Sequence, residues 1–185
     1  MIKFRSLTAR ETECRIGQIS SKGVMLLIYK NARADMTILD ETVGTENWQR
    51  EPLVVKNTLY CRVGVNRNYA KDDRAPDWVW KSDCGVESNT EAQKGESSDS
   101  FKRACVNWGI GRELYTAPFI WIAATNCNLT DTERKDKRGN PVFACYDNFY
   151  VREMLVENGE IVRLVIYNPA GNIKRNVFEY DKRRV

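Results

Sequence analysis

The chain has 185 residues, 42% hydrophobic and 29% charged, enough to bury a core and close to the usual size of one domain, so a single domain over residues 1–185 is expected. A net charge of +4 is too mild to demonstrate a polyanionic partner by itself. The absence of histidine removes His-based general acid–base catalysis and the Ser-His and Cys-His nucleophile schemes.

In chain order, Thr8-Ala9-Arg10-Glu11 has the spacing of a capping box and predicts a short helix from about Ala9 to Ile16. The apolar run Gly23 to Tyr29 is too short for a typical helix and reads as a buried strand, followed by a turn at Lys30-Asn31. From Asp35 to Val43, Ile38, Leu39 and Val43 fall at helical spacing, and Gly44 stands as the left-handed stop. Trp48 follows after a brief link. Thr58 to Val65 and Trp78 to Val86 alternate as half-buried strands, and the polar segment Asn66 to Asp77 joins them as a hairpin. In the segment Glu96 to Gly109, Phe101, Ala104, Cys105 and Trp108 repeat at i, i+3, i+4 and i+7, one apolar helical face that turns Lys102 and Arg103 away from the core. Gly109 ends this helix. Tyr115 to Thr125 is apolar and of undecided type, and Asp131 to Asn140 reads as a charged loop of basic character. The tail reads as a β-meander: Phe149 to Val156, an Asn158-Gly159 turn, Ile161 to Tyr167, a turn at Pro169 to Asn172, then Lys174 to Tyr180.

The fold class is therefore α+β: an antiparallel sheet of hairpin and meander packed on a long amphipathic helix. The six cysteines form no CxxC pair and read as reduced core residues, with no metal and no cofactor implied. Acidic residues gather at Glu11–Glu13 and Asp40–Glu51. Basic residues gather at Lys102-Arg103, Arg134–Arg138, Lys174-Arg175 and Lys182–Arg184, which permits a basic face. Trp108 and Trp121 are expected in the core, whereas Trp78, Trp80, Tyr60 and Tyr69 are candidates either to pack or to stack on bases. Asp83, Glu87, Glu91, Glu96 and Asp99 are the carboxylates from which a two-metal nuclease would have to be built, and their plainer reading is solvated charge. No apolar run approaches the length of a membrane span and no signal peptide is visible, so a soluble cytoplasmic protein is expected.

Three segments carry a resemblance to a family. Ile38-Leu39-Asp40-Glu41-Thr42-Val43-Gly44-Thr45-Glu46-Asn47-Trp48 is similar to a family helix that ends in Glu, then Gly, then Trp. Trp80-Lys81-Ser82-Asp83-Cys84-Gly85-Val86-Glu87-Ser88 is similar to its Asp-x-Gly-x-x strand, and Ser98-Asp99-Ser100-Phe101-Lys102-Arg103-Ala104 to Trp108-Gly109 is similar to its Lys-Arg-Ala helix. Together they resemble the annealing domain of the Rad-fifty-two superfamily over about Glu11 to Leu114, and Asn107 to Tyr115 resembles a run in its phage and prophage members. The resemblance implies a non-enzymatic recombination and repair protein that binds single-stranded DNA and anneals complementary strands, as a homo-oligomeric ring or filament with a basic groove. It implies a single-strand-binding protein or an exonuclease as further partners, and no membrane. It assigns phosphate contacts to Lys102 and Arg103, with Arg33 close to the position of a further arginine. Val106 and Thr45 stand where better-known members carry an arginine and a tyrosine, so Arg112, Arg62 and Lys81 are candidate replacements. A sequestering OB-like single-strand-binding module without annealing activity is the alternative, and a nuclease on Asp83, Glu87 and Asp99 a third reading.

Overall fold

The computed structural model describes residues 2–71, 74–85 and 92–184. The chain forms two compact units, one from Met1–Leu7 and Lys30–Arg112, the other from Thr8–Tyr29 and Glu113–Val185. The class is mixed α/β with antiparallel sheets, as expected.

In the first unit, helix α1 (Ala32–Val43) starts where the Asn31 side chain accepts the Ala34 N–H at 2.9 Å, and ends at Gly44 with φ +84°. It begins three residues earlier than expected because Asn31 caps it. A strand that the sequence pattern did not reveal comes next: β3 (Trp48–Val55) pairs with β4 (Thr58–Asn66). Pro52 and the charged Arg50 and Glu51 mask its alternation, and Pro is tolerated because β3 is an edge strand of the order β3-β4-β5. The β3–β4 turn places Lys56 and Asn57 at φ +50° and +61°, the double left-handed geometry of a two-residue hairpin. Strand β5 (Trp78–Cys84) pairs antiparallel with β4, completing the expected hairpin; Val86, where the strand was expected to end, lies outside the described residues. Helix α2 (Ala92–Trp108) packs on β4 and β5 and stops at Gly109, φ +102°. Phe101, Ala104 and Cys105 are fully buried along the expected stripe, together with Ile38, Leu39, Val63 and Val65. Trp108 is half-buried, its indole N–H donating to the Val63 carbonyl at 2.9 Å.

The second unit holds a six-stranded sheet of order β11-β10-β9-β1-β2-β6. The expected helix at Ala9 to Ile16 is corrected to one 3-10 turn, Ala9–Glu11, followed by β1 (Thr12–Ser20). The Glu11 carboxylate does accept the Thr8 N–H at 2.8 Å, but from Thr12 onward the alternation of Cys14 and Ile16 with Glu13 and Arg15 has strand period and overrides the local cap. Strand β2 (Gly23–Lys30) follows as expected. The undecided segment Tyr115 to Thr125 opens on the end of a 3-10 turn, Arg112–Thr116, and contains β6 (Ile120–Ala123). Ile120 and Ile122 are buried while Trp121 is on the exposed face, correcting its expected place in the core. The charged loop is also corrected: β7 (Leu129–Lys135) and β8 (Pro141–Cys145) form a hairpin. The meander stands as β9 (Tyr150–Glu157), β10 (Glu160–Asn168) and β11 (Arg175–Asp181), with Asn158 and Gly159 at φ +53° and +80° in the tight turn. All six cysteines are free thiols, and Cys61, Cys105, Cys127 and Cys145 are buried.

Candidate nucleic-acid interface

The positions of the predicted cations follow from register. In β4 and β5, Val63 lies opposite Lys81 and Gly64 opposite Trp80. Side chains alternate along a strand, so Lys81 shares the α2-covered face with Val63, while Trp80 and Arg62 share the other face. Arg62 is committed there: its guanidinium donates to Glu51 Oε2 at 2.9 and 2.6 Å and lies 4.4 Å from the Trp80 ring centre. Trp80 in turn covers Gly64, where an added Cβ would meet its ring at 2.8 Å. The structure thus places Arg62 on the sheet face opposite Lys81, in contact with the Trp80 ring, which also lies against the Gly64 backbone.

Arg103, Lys81 and Arg112 gather on one polar seam between α2 and β5. Arg103 Nε is 3.5 Å from Asp83 Oδ1, and the Asn107 amide donates to the Ser82 carbonyl at 3.0 Å and sits 3.5 Å from Asp83 Oδ2. Lys81 Nζ donates to the Asn107 carbonyl at 2.8 Å and lies 4.6 Å from the Trp108 ring centre. Arg112 donates to the Val106 and Asn107 carbonyls at 3.0 and 3.3 Å. Lys81 and Arg112 therefore meet the last carbonyls and negative dipole end of α2, where cations are favoured.

Lys102 is half-buried and, among the described residues, forms no hydrogen bond or ion pair. Its charge acts on Asp35, a fully buried residue of α1. Asp35 is ion-paired through Oδ1 with the buried Lys30 ammonium, which also donates to the Ile110 carbonyl at 2.7 Å, while Asp35 Oδ2 has no hydrogen-bond partner. Burial raises the Asp35 carboxyl to about 6, against the lowering influence of Lys30 and Lys102. Arg33 is exposed in the first turn of α1, also without an ion pair among the described residues. Arg50, missed with its strand, lies 5.0 Å from the Phe101 ring centre and forms no ion pair among the described residues. The masked alternation of β3 was the signal that would have found it.

Of the nuclease carboxylates, Glu87 and Glu91 lie outside the described residues, and Asp83 is engaged by Arg103 and by the Cys84 N–H at 2.8 Å. Among the described residues, no group of three or more Cys, Asp or Glu side chains is placed to hold a metal ion. No described helix is long and apolar enough to cross a membrane.

The first unit is thus a three-stranded antiparallel sheet with α2 packed on β4 and β5. The family described as Rad52/22 family double-strand break repair protein matches residues 5–133, more than half of the chain, and the chain belongs to that family. The matched span takes in β1 to β6 and both helices. Compared with curated proteins and with solved structures, the chain has no significant match.

Proposed function

We propose that this protein binds single-stranded DNA through the outer face of α2 and anneals complementary strands during recombination and double-strand break repair, acting as a homo-oligomer without a catalytic centre. The observation that carries the reading is the state of the Lys102-Arg103 pair inside the family-matched span. Lys102 has no ion-pair partner among the described residues, and the Arg103 ion pair with Asp83 is a long one at 3.5 Å. Lys102, with no internal ion pair to give up among the described residues, can meet a phosphate with little loss, and Arg103 stands beside it on the exposed side of α2. Arg33 and Arg50 are further phosphate contacts in this reading, and Lys81 and Arg112 fix the end of the helix that carries the pair. A phosphate-held strand leaves its bases outward, so a second strand tests complementarity directly and specificity is delegated to base pairing.

The test is an annealing time course with complementary fluorescent oligonucleotides, comparing the wild type with a folded Lys102→Ala, Arg103→Ala variant. Acceleration by the wild type that the variant loses is the expected result. Tight binding that slows annealing would identify a sequestering module, and no binding would refute a DNA-binding function.

A further inference from the structure

The β7–β8 hairpin of the second unit has no role in the reading above, and its tip lies beyond residue 133, where the family match ends. Its geometry is specific. The strands pair at Asp131↔Phe143 and Lys135↔Pro141 with a register shift between, and Glu133 sits in that bulge at φ +59°. The turn is closed by the Gly139 N–H donating to the Asp136 carbonyl at 3.0 Å and the Asp136 N–H donating to the Asn140 carbonyl at 2.9 Å, with Gly139 at φ +83°. Lys137 and Arg138 thus occupy the two corner positions of a β-turn, and Arg134 and Lys135 stand just before it.

The two aspartates that would neutralise these charges are turned into the backbone. Asp131 Oδ1 accepts the Glu133 N–H at 2.9 Å. Asp136 Oδ1 accepts the Arg138 and Asn140 N–H groups at 2.8 and 2.9 Å, and its Oδ2 accepts the Asn140 amide at 3.1 Å. The side chains of Arg134, Lys135, Lys137 and Arg138 are all exposed, and among the described residues none forms an ion pair or hydrogen bond. Four cations therefore stand among three carboxylates, Asp131 and Asp136 satisfied by the backbone and Glu133 exposed in the bulge without an ion pair among the described residues, on a turn whose shape is fixed without the cations.

We infer that the β7–β8 tip is a second phosphate-binding element, separate from the Lys102–Arg103 helix, which grips the sugar–phosphate backbone of single-stranded DNA through Arg134, Lys135, Lys137 and Arg138. The inference rests on the single-strand-binding reading above. DNA is the polyanion at hand for a member of a double-strand break repair family, and unpaired cations on a pre-formed turn neutralise phosphates without breaking internal ion pairs.

The experiment replaces Arg134, Lys135, Lys137 and Arg138 by Gln, leaving Asp136, Gly139 and Asn140 to hold the turn, with circular dichroism as the fold check. Binding of a labelled oligothymidine is titrated over a salt series alongside the wild type and the Lys102→Ala, Arg103→Ala variant. Two phosphate contacts correspond to a fall of about 1.4 in the slope of log K against log salt, roughly 25-fold in affinity at 0.1 M salt. In the wild type, DNA should also protect Lys135 and Lys137 from acetylation, a readout that needs no substitution. Wild-type affinity and slope in the tip variant, with no protection of these lysines, would overturn the inference while leaving the helix reading intact. No DNA binding by the wild type would overturn both. Unchanged DNA binding with lost retention of a poly-glutamate peptide would assign the tip to an acidic protein partner and likewise overturn it.

Discussion

The buried Lys30–Asp35 pair allows a stability prediction whose sign depends on the balance between desolvation and pairing. Lys30 and Asp35 have side-chain exposures of 5% and 0%, and one Asp35 oxygen is unsatisfied. Replacing Lys30 by Met removes the ammonium from both Asp35 and the Ile110 carbonyl, stranding a buried carboxylate, a change that typically costs about 3–5 kcal/mol. The double variant Lys30→Met, Asp35→Leu removes both charges and is expected to recover most of that loss. Desolvation already outweighs the attraction of Lys30: it lifts the Asp35 carboxyl from 3.8 to about 6. That shift corresponds to about 3 kcal/mol of disfavoured ionisation, at roughly 1.4 kcal/mol per unit. The sign follows from linkage. Between pH 4 and 6 the folded protein holds a proton on Asp35 that the unfolded chain releases. Asp35 therefore subtracts stability at neutral pH, and the deficit is relieved as pH falls through about 6 towards 4. Urea unfolding of the wild type and both variants at pH 7 and pH 5 measures each quantity. The reasoning fails if Lys30→Met costs under about 1 kcal/mol, if the double variant is no more stable than the single one, or if the wild type loses ground to the double variant on acidification.

Gly64→Ala places a Cβ 2.8 Å from the Trp80 ring, which also packs against the Arg62 guanidinium; an overpacking loss of about 1–3 kcal/mol is expected in denaturant unfolding. Burial pushes the Cys14 thiol up to about 12, so at pH 8 it should react with a thiol reagent far more slowly in the native protein than in urea, and equal rates would contradict its burial. Asp40→Asn should cost about 1 kcal/mol by weakening the charge-assisted bond from the Trp48 indole, 2.6 Å long, that ties α1 to β3. A change in the near-ultraviolet signal of Trp48 would accompany it.

Much of the fold was legible because the strongest signals were both local and periodic. The stripe Phe101, Ala104, Cys105 and the stop at Gly109 define α2 without reference to anything distant, and the Asn158-Gly159 turn fixes the pairing of β9 and β10. The errors arose where a local signal competed with a non-local one. Thr8 and Glu11 do make a cap, but the chain beyond them pairs with a strand more than a hundred residues away, as Glu13 opposite Tyr150 shows. Strand β3 is half-covered and interrupted by Pro52, so its alternation of Trp48, Arg50 and Pro52 on one face is visible only once β4 is alongside. Trp121 looked like core by residue type, yet period two places it opposite the buried Ile120 and Ile122. For the candidate interface, helical spacing turned Arg103 to the exposed side, while Lys102 is half-buried. Spacing could not show that Arg62 is consumed by Glu51 and Trp80, or that Lys81 and Arg112 converge on the end of α2, because both depend on strand register and on where the chain goes after Gly109.

That difference in partners separates two kinds of cation that charge alone would merge. Lys81 and Arg112 both donate to the Asn107 carbonyl, and Arg112 also donates to the Val106 carbonyl, which accepts the Gly109 N–H at 2.9 Å as α2 ends. Removing either takes a donor and a positive charge from this helix end and should lower stability by about 1 kcal/mol. Lys102 offers the fold no comparable bond: its charge adds to Lys30 in opposing the raised carboxyl of Asp35, and its ammonium is held by nothing among the described residues. Lys81→Met and Arg112→Met should therefore shift the urea midpoint while leaving the salt slope of DNA binding near the wild-type value. Lys102→Met should do the reverse, leaving the midpoint near wild type and lowering the slope by about 0.7, one phosphate on a single strand. If instead Lys81→Met lowers the slope as much as Lys102→Met does, the bond to Asn107 opens when DNA binds, and the seam between α2 and β5 is itself part of the groove.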